Sequence, residues 1–240
     1  MAACMRALAR WHVWLGWLVG VPIVMWTATG LFMVAKPIEE VRGNHLRIAQ
    51  NEEHETLPPG NPAPIAFQLE NAAPIHSFET RMQRGRAVTF ITYAEGTIER
   101  FDAITGTRIE PVSAAEARSI VAQEIIGGTS AERVTFFESD EVPVDFRRPM
   151  PVWRVTLEDG THIYVGRETG DIEAVRTRWW RWFDIMWGLH IMDLSERQDT
   201  SHPVLILFAA LASIGSLMGS ILMFRRRRSR MAGRPRSGGT

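Results

Sequence analysis

The chain has 240 residues with 27 basic and 27 acidic side chains, so its formal net charge is zero, and its single cysteine excludes an internal disulfide framework. That balance conceals segregation. Arg6 and Arg10 precede a long apolar run, seven arginines crowd 225–236, and neither flank holds an acid; removing these 9 arginines leaves 18 basic against 27 acidic residues, or −9, over 11–224. A basic tail directly behind an apolar run is a membrane-topology signal rather than a nucleic-acid patch.

In chain order, 1–35 reads as a cytoplasmic N-terminus leading into a first transmembrane helix over 11–35, bounded by Arg10 and Lys36. The second span, 203–224, carries no charge until Arg225. Each exceeds the roughly 20 apolar residues needed to cross a hydrocarbon core. Arginines beside both outer ends place both termini in the cytoplasm and the acidic middle outside it, in the periplasm of a bacterial inner-membrane protein. The first run is long for a signal peptide and no A-x-A site follows, so an uncleaved anchor is expected. Gly16 and Gly20 form a GxxxG in the first span, and Gly215 and Gly219 form one in the second. Such small-residue rows let helix backbones approach, either within the chain or in a homodimer or a complex with a partner membrane protein. Pro22 is placed to kink the first helix, with Thr27 and Thr29 able to bond back to carbonyls it frees.

Residues 36–86 read as an extracytoplasmic linker region, with "LPPGNPAP" at 57–64 as its stiffest part. Over 87–178 the chain repeats itself. "VTFITYAEGTIERFDAITGTRIEP" aligns with "VWRVTLEDGTHIYVGRETGDIEAV" at an offset of 64, matching Thr92, Gly96, Thr97, Thr105 and Gly106 to Thr156, Gly160, Thr161, Thr169 and Gly170. Glu95-Gly96 and Asp159-Gly160 are hairpin signals and each Thr-Gly marks a second turn, so each copy is a three-stranded antiparallel meander. Trp153, Val155 and Leu157 alternate onto one face. "SAAEARSIVAQEII" (113–126) reads as the covering helix, opened by a Ser113–Glu116 capping box and closed by Gly127-Gly128. "ERVTFFES" reads as a strand. The fold class is thus two transmembrane helices flanking an extracytoplasmic α+β domain of antiparallel meanders.

Behind the meanders lies a Trp-rich segment, 179–202, then the second span and a cytoplasmic tail over 225–240. Trp179, Trp180, Trp182 and Trp187, with Arg178, Arg181 and Asp184 as polar handles, suit a helix lying in the membrane interface.

"SAAEARSIVAQEI" followed by strands and "YVGRETGDIEAV" resembles a PepSY domain, whose closing strands carry a D-x-x-T-G-like turn; "FDAITG" fits that turn, while Gly166 replaces the Asp in the second copy. "RWHVWLGWLVGVPIVMWTATGLFMV" and "WGLHIMDL…SHPVL" are similar to PepSY-associated transmembrane proteins, and the likeness covers most of the chain. The resemblance implies a haem b held between helices, with electrons passed to ferric siderophores, as in larger members of that family with more membrane helices. Isolated PepSY domains imply instead the inhibition or chaperoning of peptidases. The family motifs fall on His12, His190 and His202.

Low-spin haem needs an imidazole on each face of the iron. His12 opens the first span at its cytoplasmic end and His202 the second at its outer end, separated by about 30 Å of helix. They cannot share one iron. His190 and His202 both fall near the outer surface and can form a pair; His12 would need its counterpart in a second chain or a ligand from a partner. Two readings of these histidines stand, as haem ligands or as interfacial anchors and a helix cap. CxxC, HExxH, Walker and GxSxG motifs are absent, and no catalytic residue or metal-ion site is signalled. "ESDEVPVD" (138–145) offers Glu138, Asp140, Glu141 and Asp145 without the spacing of a calcium loop, and reads as a solvated acidic loop. His45, His54, His76 and His162 carry no signal. Two function classes remain: a haem-binding redox component serving iron uptake, and a non-enzymatic module that docks a partner along its PepSY strands.

Overall fold

A computed structural model describes residues 2–48, 56–57 and 73–232. His54, most of the 57–64 linker and residues 233–240 lie outside them. The chain divides into two compact units, Pro37–Arg181 and a second made of Met1–Lys36 with Trp182–Thr240.

In the first unit, the expected repeat is realised strand for strand. Its elements are β1 (Ile75–Gln83), β2 (Arg86–Tyr93), β3 (Ile98–Asp102) and β4 (Arg108–Ile109), then β5 (Ala131–Phe137), β6 (Val152–Leu157), β7 (His162–Gly166) and β8 (Ile172–Arg176). They form two antiparallel four-stranded sheets, β1-β2-β3-β4 and β5-β6-β7-β8. The 64-residue offset extends to register: Val88 pairs with Asp102 as Val152 does with Gly166, and Thr92 pairs with Ile98 as Thr156 does with His162. The turns repeat as well. Gly96 and Gly160 have φ of 90° and 77°, and Gly106 and Gly170 have 73° and 70°. These left-handed positions are where a residue without Cβ costs least.

Each meander is preceded by a further strand: β5 falls on the predicted "ERVTFFES", whereas β1 is not expected. β1 lies inside 36–86, a region too polar on its surface to show a buried-strand period; five of its residues in a row are exposed. It joins β2 through Arg84-Gly85, both at positive φ (52° and 75°), a two-residue hairpin turn in which one position is not glycine. The departure at Gly166 also has a cause. Asp102 accepts from the backbone N–H of Ile104 and Thr105 at 2.9 and 2.8 Å, whereas the Thr169 hydroxyl fills the space a Gly166 side chain would need and donates to Glu173 instead.

The predicted covering helix is α3 (Ala114–Glu124), with Ser113 Oγ accepting from the Glu116 N–H. Its Ala117, Ile120 and Val121 pack with Val155, Leu157, Ile163, Val165 and Val175, and Trp153 borders the cluster. The alternation read at 153–157 thus points to α3. The opposite face of this sheet is covered by the 142–150 loop, with Phe146, Val152, Tyr164 and Ala174 buried together. A helix of four residues, α2 (Ile38–Val41), precedes these elements.

The second unit holds α1 (Ala2–Met33) and α5 (Pro203–Ala232), joined to the preceding sheet by α4 (Arg178–Ile191), inside which the division between units falls. Segments Cys4–Met33 and Pro203–Arg225 are long and apolar enough to cross a membrane, with mean hydropathy 1.6 and 2.2. Pro22 sits inside a continuous α1. Thr27 and Thr29 donate to the carbonyls of Ile23 and Met25, both at 2.8 Å, rather than to the Leu18 carbonyl that Pro22 leaves unbonded. Back-bonding occurs, but it follows each threonine's own i−4 position.

The glycine rows behave unequally. A Cβ on Gly215 or Gly219 would stand 3.4 Å from Leu15 Cδ2 or 2.9 Å from His12 Cε1, so this row seats α5 against α1. Gly16 and Gly20 have no neighbour within 4 Å.

Candidate functional site

The helix pair fixes the depth of all three histidines. His12 meets Gly219 while Leu15 meets Gly215, so rising numbers on α1 face falling numbers on α5 and the two run antiparallel. From His12 to Thr29 is 17 residues (29 − 12), and from Gly219 back to His202 is also 17 (219 − 202). At 1.5 Å per residue, Thr29 and His202 therefore lie at one level, about 26 Å from His12.

His190 belongs to that same level. It sits in the last turn of α4, and its Nδ1 is 3.0 Å from Thr29 Oγ1. The Thr29 hydroxyl donates its one proton to the carbonyls of Met25 at 2.8 Å and Trp26 at 3.2 Å. The same oxygen meets His190 Nδ1, and the tautomer of the ring sets which of the two donates. A hydrogen bond on one ring nitrogen orients an imidazole so that the other nitrogen is the one a ligand meets. Trp26 Nε1 donates to the His190 carbonyl at 2.9 Å, satisfying an acceptor that helix termination leaves open. Gly30 completes the seat; its Cβ position lies 3.6 Å from His190 Cε1.

His202 precedes Pro203 at the start of α5, and its carbonyl accepts from the Ile206 N–H at 3.2 Å. The expected cap position is thus occupied. Its ring Nδ1 is buried without a hydrogen-bond partner, as is that of His12. A buried imidazole nitrogen left unbonded loses its water hydrogen bond without replacement, and being covered by protein atoms it leaves only the other ring nitrogen to meet a ligand.

The connection between His190 and His202 is tightly built. Met192 at φ 58° ends α4, with the Asp193 N–H reaching back to the Gly188 carbonyl at 3.0 Å. The Asp193 carboxylate accepts from the Ser195 hydroxyl at 2.8 Å and from the N–H groups of Ser195, Glu196, Gln198 and Asp199. These bonds, the Ser195 hydroxyl foremost, hold its carboxyl well below the usual carboxylate range. Arg197 turns back to Asp184 at 2.6 Å, and its carbonyl accepts from Trp187 Nε1 at 3.1 Å. This revises the picture of Asp184 and Arg181 as polar handles in water. Asp184 is buried against Arg197, and Arg181 donates to the Gly160 carbonyl at 2.9 Å, because the loop and the hairpin supply partners that periodicity does not reveal. Trp182 alone of the four tryptophans is highly exposed, at 58%.

A separate polar cluster stands in the sheet unit. Asp145 accepts from the Tyr164 hydroxyl at 2.6 Å and lies 3.0 Å from His162 Nδ1. Burial pushes its carboxyl up, but the bonds from His162 and Tyr164 outweigh that and leave it below its ordinary value. Glu138, Asp140 and Glu141 are exposed as the acidic-loop reading requires, whereas Asp145 turns inward. The "PVDF" context, an acid between apolar residues, was the available signal. Among the described residues no group of three or more His, Cys, Asp or Glu side chains is placed to hold a metal ion. Compared with known proteins, the chain matches no protein-family model, no curated protein and no solved structure.

Proposed function

We propose that this chain is a PepSY-type protein of the bacterial inner membrane, with α1 and α5 crossing the bilayer, both termini cytoplasmic and the two sheets outside. In this reading His190 and His202 hold a haem b at the outer surface, and the protein is a redox component linked to iron or siderophore uptake. The observation that carries it is the shared depth of two imidazoles, His190 held at Nδ1 by Thr29 and His202 at the start of α5. The apolar hydropathy of both helices supports the span, and the arginine distribution supports its orientation. When bound, a bis-imidazole haem supplies one-electron transfer. The chain's own part is to orient His190 through Thr29 and Trp26 and to fix the position of His202 through the Asp193 loop. His12, about 26 Å deeper by helix rise, serves a second haem only with an imidazole from another chain. Protein purified from haem-replete membranes is expected to show a Soret band that His190→Ala or His202→Ala abolishes or shifts. A colourless wild type rejects the reading.

One observation favours the docking module as a second reading. β1 is an edge strand of nine residues, with Ile75 and Phe78 about half exposed. A long edge strand is a template for strand addition. A proline at Phe78 that abolishes capture of a partner, with the Soret band unaffected, would establish it.

A further inference from the structure

Between α1 and α5, toward the end that carries His12, lies an open groove of about 980 Å³ whose lining includes Trp14 and Leu18 of α1 and Leu211, Ile214 and Met218 of α5. Arg10 is the lining residue nearest the start of α1. The volume is at the upper end of the roughly 300–1,000 Å³ typical of small-molecule clefts. Nothing in either helix neutralises that guanidinium, since 1–38 and 200–240 contain no Asp or Glu. Any anion that pairs with it comes from outside the helix pair.

Depth says which kind of anion. Counting from the His12–Gly219 contact, Arg10 lies 2 residues (12 − 10) toward the helix ends, while Arg6 and Arg225 each lie 6 (12 − 6 and 225 − 219). These are about 3 Å and 9 Å of helix rise. Arg10 thus sits a turn deeper than the outer arginines and directly above an apolar slot, while its aliphatic stem can lie along Trp14 with the charged head turned outward. A soluble anion has no use for the slot, and a neutral lipid has none for the arginine.

We infer that this groove seats one anionic phospholipid of the cytoplasmic leaflet, its phosphate on Arg10 and an acyl chain along Trp14, Leu18 and Ile214. The inference rests on the membrane-spanning reading above. Near a membrane surface one arginine is worth about a fivefold preference for an anionic headgroup.

The test is native mass spectrometry of the full chain released from nanodiscs holding equal phosphatidylglycerol and phosphatidylcholine with matched acyl chains. Wild type is expected to retain one phosphatidylglycerol about fivefold over phosphatidylcholine. Arg10→Gln should equalise the two, Arg6→Gln should leave the preference intact, and Ile214→Trp, at a half-exposed position, should lose both lipids. Equal retention by wild type, or an Arg6→Gln loss as large as that of Arg10→Gln, overturns the seat in favour of diffuse surface attraction. An Ile214→Trp protein that still retains lipid overturns the slot. Alkaline washing of membranes separates the two levels: a chain released by it rejects the span, whereas a retained chain without lipid preference rejects the seat alone.

Discussion

Thr29 shows how much one hydroxyl decides. Its oxygen lies 2.8 Å from the Met25 carbonyl and 3.0 Å from His190 Nδ1, so it ties the ring to α1 through one nitrogen. Thr29→Val keeps the shape and removes that tie. If His190 ligates haem, the variant is expected to weaken haem retention by about 10- to 100-fold, the usual cost of losing an outer-shell partner, while His190 remains in place. Titration of apoprotein with haemin reads this directly, and unchanged affinity refutes the role. Asp145 makes a similar argument in the sheet unit. Because its folded carboxyl lies below its unfolded value, the ionised form adds stability above about pH 3.9. That increment is lost as pH falls through the folded value. Thermal midpoints of wild type and Asp145→Asn should therefore differ at neutral pH and converge under more acidic conditions; a gap independent of pH would reject the linkage.

At the scale of elements, duplication is legible because hairpin geometry demands particular residues. Gly160 holds φ 77°, and a Cβ there would approach Arg178 Nε at 3.1 Å. Gly96, its counterpart at φ 90°, has open space around it. Gly160→Val is expected to cost about 1–3 kcal/mol from backbone strain, with crowding in addition, measured as a lowered thermal midpoint. Gly96→Ala should cost less than Gly160→Ala, and the reverse order would contradict the contact with Arg178. Ser113→Ala should cost about 1 kcal/mol by exposing the Glu116 N–H. β1 escaped the sequence reading since its exposed half has neither apolar alternation nor a glycine pair at its turn. Arg84 takes the left-handed position there, while its side chain donates to the Gly170 carbonyl at 2.6 Å. That turn residue's side chain finds its partners 40 and 86 residues away, at Glu124 and Gly170.

For the whole molecule, the proposed topology makes a definite prediction. A reporter active only in the cytoplasm, fused at residue 110, is expected to be silent, while the same reporter behind the basic tail should be active; activity at residue 110 reverses the orientation. The motivation is charge segregation, −9 over 11–224 against arginines at both flanks. The GxxxG rows are also resolved at this scale. Sequence presents them as equivalent, yet Gly215 and Gly219 meet α1 while Gly16 and Gly20 meet nothing. Small-residue spacing identifies a surface able to pack closely but carries no information about which partner fills it.

By itself the sequence determined what local physics dictates: two apolar runs of spanning length, the α3 cap and its apolar face, and the paired turns with their 64-residue register. Each follows from a period, a charge boundary or a backbone angle that few residues tolerate. The tertiary structure alone decided what depends on partners far apart in the chain. Asp184 is buried against Arg197, and Asp145 is half-buried against the His162–Tyr164 pair. His190 found the partner of its Nδ1 in a threonine 161 residues earlier. Hydrogen-bond partners of buried polar groups are set by folding, and no pattern of neighbours along the chain encodes them.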